Sequence, residues 1–502
     1  YFLPLVTGLF TVLSFQPFNF SFINFFILPL LFYLIVYINK KSRSVYRKKP
    51  YKKNLFIFGT FFGFGFYLSG IHWIANSLTF DENFRLLIPL SLILIPLFLS
   101  LFFSIFVLIL GPYLSLNINS IFLFSAGLAF SDYLRAKIFT GFPWNLWAYS
   151  FSWMTEIIQI LEKFGLFAFN LVSITIFMLP ALFFTNTYLL RKFLYFFSII
   201  LTFFIFYIYG NYSLNHNKQK LEAINDKFNI KVVSPNFKLE YGLKIEDLRT
   251  RLDKLIKYSD PSKNLKTLFV WPEGVFSGYS FKEIQNFKKT FKENFSENHL
   301  ILFGSNTFDE KRKGFYNSLI VVNNQMEIIQ EYRKQKLVPF GEFLPFEIIL
   351  EKFGLKKITE GYGSFLKGEK QRNIILDELN ILPLICYEII FTEFVQLSDK
   401  NTNLIVNISE DGWFGNSIGP YQHFTKGIYR AIENNSFLIR SANKGISAII
   451  NNKGEIINTL NPNEAGNIEL EVPLIKSENK NKNDLIFFVL LITYIFIFKL
   501  IK

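Results

Sequence analysis

The 502-residue sequence predicts two architectures in one chain: a membrane α-helical bundle of about eight transmembrane helices, and an α/β domain layered as an α-β-β-α sandwich. Three observations carry this. Charge-free apolar stretches at 1–39, 54–80, 86–131, 164–190 and 193–217 dominate the first 217 residues. From Lys218 the composition changes: Lys, Glu, Asn and Asp become frequent, and short β-rich runs recur. Between two apolar runs, residues 39–53 hold 8 of the surplus 14 positive charges, at Lys40, Lys41, Arg43, Arg47, Lys48, Lys49, Lys52 and Lys53.

Composition narrows the class. Charged residues make up 18% of the chain and hydrophobic residues 51%, against about 25% charged in a soluble domain. That excludes a disordered chain, and 64 Phe, 24 Tyr and 6 Trp exclude linker material. The net charge of +14 does not signal nucleic acid, because its cations are juxtamembrane.

A helix that crosses hydrocarbon needs about 20 apolar residues. On that rule the spans are read at 2–17, 19–38, 54–75, 87–110, 118–133, 164–184, 191–209 and 485–500. A cleavable signal peptide is not expected, since no basic n-region or small-residue cleavage site opens the chain. The cationic 39–53 loop belongs inside by the positive-inside rule, and Arg191, Lys192, Lys499 and Lys502 then also fall inside. The expected domains are therefore 1–209 (transmembrane), 210–482 (outside, the periplasm in a bacterial-type cell) and 483–502 (a closing span). Trp144 and Trp147 in TGFPWNLWAYS form either an aromatic interfacial belt or the rim of a lipid-access groove.

In the soluble half, the runs NIKVVS (229–234), TLFVW (267–271), LILFGS (300–305), NSLIVVN (317–323), ILPLICY (381–387), NLIVNIS (403–409) and GISAIINN (445–452) read as strands. Several are apolar on both faces, as central strands covered on both sides are. Helical segments are expected at 241–258, 281–295 and 421–435, and Asn451-Asn452-Lys453-Gly454 marks a hairpin.

The chemistry-bearing residues are few. Cys386 is the only cysteine, so no intrachain disulfide exists; it ends the strand ILPLI, where α/β folds present reactive groups. None of the four histidines pairs at a metal spacing, so no metal site and no cofactor are expected. His423 could form a dyad with Cys386, but the favoured reading is a structural hydrogen-bonding histidine. Glu273 follows a strand and the Trp271-Pro272 break, which holds its carboxylate at the sheet rim. The segment EYRKQKLVPFGEFLPF (331–346) is a structured loop that sets Lys334, Lys336 and Glu342 among apolar neighbours. Taken singly, each of these is a packed or solvated residue. Together, a carboxylate, an ammonium and a thiol suffice for acyl transfer without a metal.

At these residues the chain resembles the apolipoprotein N-acyltransferases, the membrane branch of the nitrilase superfamily. The resemblance rests on VWPEG around Glu273, on YRKQKLVPFGE, on CYE at 386–388, on TGFPWN at 140–145, on DGWFGNSIGPYQH at 411–423 and on RAIENNSFLIRSANKGIS at 430–447. It implies a nitrilase-like sandwich and a Glu273–Lys334–Cys386 triad, with the motif frame selecting Lys334 over Lys336. It implies accessory or oxyanion roles for Glu342, Glu388 and Tyr387, and substrate contacts at Trp144, Trp147, Tyr241, Phe340 and Phe343. Glu410 departs from the family pattern, which commonly has Asn there.

The implied activity moves a fatty acyl group from the sn-1 position of a phospholipid, through a Cys386 thioester, to the N-terminal amine of a diacylglyceryl-cysteine lipoprotein. The expected setting is a multi-pass protein of the bacterial inner membrane acting as a monomer, without nucleic acid. One rival is a membrane-anchored nitrilase-type amidase or hydrolase that gives the acyl group to water. Another is a transporter with an inert binding domain; the charge-free spans disfavour it.

Overall fold

In the computed structural model, residues 2–44, 51–240, 242–347, 363–370, 373–475 and 484–500 are described. The chain forms two units. One holds the chain up to Ala75, the stretch Arg85–Asn215 and the C-terminal helix Leu485–Leu500; the other holds Asn76–Phe84 and the stretch from His216 through the last strand.

The first unit is helical. Four helical segments are long and apolar enough to cross a membrane: Ser21–Ser42, Tyr51–Thr79, Phe84–Tyr113 and Leu189–Glu222. Phe2–Ser14 and Leu485–Leu500 are shorter apolar helices. The remaining two expected spans are a 20-residue helix, Ile118–Lys137, that carries buried Asp132 and Arg135, and a 17-residue helix, Leu161–Phe177. Gly165 interrupts the latter at φ +72, which shortens the regular run.

Small residues set the spacing of this bundle. A Cβ added at Gly59 would lie 2.7 Å from Ser104 Cα, and one at Gly63 would lie 2.9 Å from Ser100 Cα. The helices Tyr51–Ile71 and Ile88–Leu110 thus meet backbone to backbone, as small-residue stripes allow. Thr60 and Ser104 hydroxyls pair across the same seam at 2.8 Å. The helix Leu189–Glu222 continues past the expected end at 209, because the residues that follow (YGNYSLNHNKQKLE) contain no proline to stop it.

The TGFPWN segment corrects an expectation. Arg135 donates to the carbonyl oxygens of Phe142 and Asn145 and pairs with Asp132 at 2.9 Å, folding the loop back onto its own helix. Trp144 stacks on Phe142, and Trp147 stacks on Phe66 at 5.6 Å. Both rings are buried, so neither faces outward as a belt or a groove rim requires.

The second unit is a two-sheet sandwich of twelve described strands: β1 (Lys227–Ser234), β2 (Thr267–Val270), β3 (His299–Asp309), β4 (Gly314–Val322), β5 (Ile328–Arg333), β6 (Ile374–Leu376), β7 (Leu379–Ile385), β8 (Leu404–Glu410), β9 (Phe437–Asn443), β10 (Ser447–Ile450), β11 (Ile456–Leu460) and β12 (Gly466–Pro473). The sheet orders are β12-β1-β2-β3-β4-β5 and β11-β10-β9-β8-β7-β6. In each, three central strands run parallel and the flanking ones antiparallel.

The apolar runs lie where both faces are covered. Ile230, Val232, Leu268, Val270 and Leu302 of one sheet pack against Ile381, Leu404, Val406, Ile408 and Ile439 of the other. On the outer face of the first sheet, Phe269, Trp271, Ile301 and Phe303 pack with Leu248, Leu252 and Leu255 of the helix Ile245–Ser259 and with Phe291. The helix Gly419–Asn434 belongs to the second sheet and has almost every residue buried. The expected hairpin is present, with the Gly454 N–H donating to Asn451 O at 3.0 Å between β10 and β11.

Candidate active site

Three strand ends converge on one polar cluster. After β2, the Trp271 N–H still donates to Leu302 O (2.9 Å), and Pro272 then ends the ladder. Glu273 follows, only 9% exposed. It lies directly over Gly304 of β3, where a Cβ would come within 2.9 Å of Glu273 Cα. Lys334 follows β5; its N–H donates to Asn317 O (2.9 Å), so the strand direction carries its side chain to the same rim.

Lys334 is 1% exposed, and its Nζ donates to Glu342 Oε1 at 2.8 Å and to Glu273 Oε1 at 3.5 Å. Burial alone would lower its pKa. The charges of Glu273 and Glu342 outweigh burial and hold it well above the usual lysine range, so the ammonium persists. Glu342 reaches it from the turn Val338–Glu342: the Glu342 N–H donates to Val338 O, and Glu342 Oε2 accepts from the Val338 N–H, both at 2.8 Å.

Cys386 stands on a sharp strand-to-helix elbow. β7 ends at Ile385, and Cys386 takes φ +49 before the short helix Cys386–Ile390. A left-handed conformation at a non-glycine residue costs about 1–3 kcal/mol and is retained where the surroundings over-determine it. The thiol is partly exposed and lies in the electric field of both Glu273 and Lys334. Burial and the Glu273 charge push its pKa up more than Lys334 pulls it down. The resting sulfur is therefore a thiol.

Glu388 ties two of these elements together. Its Oε1 accepts from Tyr332 OH (3.0 Å), the Gln335 N–H (2.7 Å) and the Lys336 N–H (3.1 Å), and its Oε2 accepts from the Ile385 N–H (2.9 Å). One fully buried carboxylate thus joins the Lys334 loop to the Cys386 elbow. Burial raises its pKa to about 7, against the lowering effect of those N–H donors and of Lys334. Tyr387 packs edge-on against Phe391 at 5.1 Å.

The other expected site residues divide. Phe340 is 48% exposed at φ +62, beside the partly buried Phe343, on the turn that carries Glu342. Tyr241 lies outside the described residues. Lys336 points elsewhere, pairing with Glu393 at 3.0 Å and covering the Phe391 ring at 4.8 Å. His423 is structural: its Nε2–H donates to the Cys386 carbonyl oxygen (3.2 Å), and Nδ1 lies 3.0 Å from Asp411 Oδ1. Asp411 also accepts from Arg440 (2.8 Å), which with His423 holds it well below the usual carboxylate range despite burial.

Two functional features escape sequence reasoning. Asn317 of β4 donates through Nδ2 to Glu273 Oε1 (2.8 Å) and Glu342 Oε1 (2.7 Å), bridging the two carboxylates around Lys334. Its only signal is an amide within the apolar run NSLIVVN. The Glu410 N–H donates to Glu273 Oε2 at 3.1 Å, so the carboxylate is held at both oxygens. Among the described residues, no group of three or more His, Cys, Asp or Glu could hold a metal ion.

Glu410 itself accepts from Asn443 Nδ2 (2.8 Å) and the Gly412 N–H (2.9 Å). Burial, aided by Glu273 and Asp411, pushes its pKa from 4.5 to about 8. A folded-state pKa above the unfolded one gives stability that is full below pH 4.5 and is lost as pH rises to about 8. His423, lowered from 6.5 by burial, acts oppositely but only below pH 6.5. Glu388, raised to about 7, adds to the fall up to pH 7, so the loss between pH 7 and 8, about 1 kcal/mol in thermal melts, belongs to Glu410. Glu410→Gln should flatten most of that slope; an unchanged slope would contradict the neutral buried carboxyl.

A six-plus-six-stranded sandwich with a Glu, a Lys and an elbow Cys at its strand ends defines a protein of the carbon-nitrogen hydrolase class, here joined to membrane-length helices. The carbon-nitrogen hydrolase family model matches residues 239–478, and the apolipoprotein N-acyltransferase N-terminal domain model matches residues 7–179. Three similar proteins are named apolipoprotein N-acyltransferase. The one from Rhizobium leguminosarum bv. trifolii is 31% identical over 487 residues, 94% of this chain and 89% of that protein. The one from Rhizobium etli is 30% identical over 486 residues (94% and 89%), and the one from Brucella suis biovar 1 is 29% identical over 483 residues (93% and 88%). The chain belongs to the apolipoprotein N-acyltransferase family.

Proposed function

We propose that this protein transfers a fatty acyl group from the sn-1 ester of a phospholipid to the N-terminal amine of a diacylglyceryl-cysteine lipoprotein, through a thioester on Cys386. The observation that carries this reading is the placement of an elbow thiol in the field of a buried Glu273–Lys334 pair, in a chain that also has four membrane-length apolar helices.

Glu273 takes the Sγ proton as sulfur attacks the ester carbon. Lys334, with a backbone N–H of the elbow, stabilises the oxyanion. Collapse breaks the ester C–O bond, and the lysophospholipid oxygen leaves with the proton held by Glu273. In the second half, the lipoprotein amine attacks the thioester carbon, Glu273 accepts the amine proton, and the sulfur leaves and is reprotonated. The amide product and the free thiol close the cycle.

Exposed Phe340 and its neighbour Phe343 are read as the contact for incoming acyl chains, on the turn whose Glu342 grips Lys334. Tyr241 keeps its expected role as a substrate contact. One chain supplies every member of the triad, which supports action as a monomer. The eight-span reading, with 210–482 on the periplasmic face of a bacterial inner membrane, rests on the charge landmarks. Protease added from outside intact spheroplasts should then cut within that region; cutting only after the membrane is broken would overturn the orientation.

The decisive experiment is mass spectrometry of the purified protein after incubation with phospholipid. One fatty-acyl mass should appear, be released by hydroxylamine, and turn over with a diacylglyceryl lipopeptide. An adduct that decays equally fast in water alone would favour a hydrolase.

A further inference from the structure

A connection from the helical half folds with the catalytic unit. Asn76–Phe84 lie where two candidate spans, Tyr51–Thr79 and Phe84–Tyr113, meet, yet they pack in the same unit as Glu273, Lys334 and Cys386. Asn76 Nδ2 donates to Phe414 O at 2.6 Å. The Phe80 ring meets Trp413 edge to face, with centroids 5.2 Å apart and planes at 78°. The Thr79 hydroxyl donates to Asn76 O at 2.7 Å and closes the segment on itself.

The receiving turn is built for this approach. Gly415 has φ +57 and ψ −161, a region essentially confined to glycine, and a Cβ there would lie 2.9 Å from Asn76 Nδ2. Trp413 and Phe414 belong to the turn Asp411–Phe414, which directly follows β8. At its head stands Glu410, whose N–H holds Glu273 Oε2 at 3.1 Å and whose side chain caps the turn at Gly412. A continuous path therefore runs from Asn76 through the Phe414 carbonyl and the turn to the Glu410 amide and Glu273.

We propose that Asn76 and Phe80 are positioning residues for acyl transfer, holding the Glu410–Gly415 turn so that its leading N–H fixes Glu273 Oε2. Neither touches the reacting atoms. Oε1 is held by Asn317 and Lys334, so loss of the Oε2 contact lets the carboxylate swing about the other oxygen. A displacement of about 1 Å in a reacting group costs about 100-fold in rate. The inference rests on Glu273 acting as the base in the reaction proposed above.

The test is single-turnover acylation of the full-length protein with phosphatidylethanolamine in detergent micelles, with rates normalised to folded protein. Asn76→Leu keeps the size but loses the donor, and should lower the acylation rate constant about 10- to 100-fold with KM within about twofold. Asn76→Gln, which restores an amide, should act well above Asn76→Leu. Phe80→Leu should lower the same rate constant. Wild-type rates in Asn76→Leu and Phe80→Leu would overturn the proposal, as would a rise in KM alone or an Asn76→Gln no better than Asn76→Leu. If Asn76→Leu does not fold, Phe80→Leu decides. Cys386→Ala, run in parallel, separates the two readings. An adduct that persists there refutes the proposed reaction. A lost adduct there beside unaffected Asn76 and Phe80 variants refutes only the positioning role.

Discussion

Replacing Cys386 with Ala is expected to abolish the fatty-acyl adduct on phospholipid incubation and to leave both units folded. Sulfur is the only atom in the cluster able to form the thioester, because the other members are carboxylates and an ammonium already engaged with one another. The stability cost is small, about 1 kcal/mol, since the change removes a single sulfur from a partly buried residue at the margin of the core. The strained φ of +49 is carried by alanine as it is by cysteine. Cys386→Ser should also fail: the hydroxyl is a far weaker acid than a thiol, and the local field already opposes an anion at this position. Intact-protein mass spectrometry gives the readout, and full transfer by either variant would end the thioester mechanism.

Lys334→Ala is expected to be nearly as severe and to affect stability as well. It removes a 1% exposed ammonium and leaves Glu273 and Glu342 facing each other, with only the Asn317 amide between them. Breaking a buried ion pair on one side costs about 3–5 kcal/mol. Loss of the charge beside the developing oxyanion should lower acylation by about 10²–10³-fold. Lys336→Ala is the contrast. Its side chain is 30% exposed and makes one ion pair and one ring contact, so about 0.5–1 kcal/mol and a mild rate change are expected. Single-turnover acylation and thermal melts of both variants check this; a severe Lys336→Ala with a mild Lys334→Ala would show that the register is wrong.

Legibility from sequence follows how local each signal is. Strands β1 to β4, β7, β8 and β10 were readable because a covered strand demands an unbroken apolar run. Strands β5, β6 and β12, each at a sheet edge, escaped, because half-exposed edge residues blur that run, whereas the edge strand β11 was legible through its hairpin turn. Strand β9 (FLIRSAN) escaped because Arg440 interrupts it, and only the fold reveals that Asp411 and Asn407 satisfy that guanidinium. Trp144 and Trp147 misled for a related reason. Tryptophan at the end of a span suggests an interface, but buried Arg135 draws their loop inward.

The sequence by itself determined the division between apolar and mixed halves and the strand-end settings of Glu273 and Cys386, while the choice of Lys334 over Lys336 came from the motif frame of the family it resembles. Each depends on neighbours within a few residues, where proline, periodicity and chain direction act directly. Only the tertiary structure decided that Asn317 bridges two carboxylates, that Glu388 joins the lysine loop to the elbow, that His423 holds a carbonyl instead of the thiol, and that Asn76–Phe84 join the catalytic unit. Those partners are 25 residues apart for Asn317 and Glu342, and 338 for Asn76 and Phe414. Hydrogen bonds and charge act over a few ångströms of space, so they have no fixed separation along the chain until packing brings the groups together.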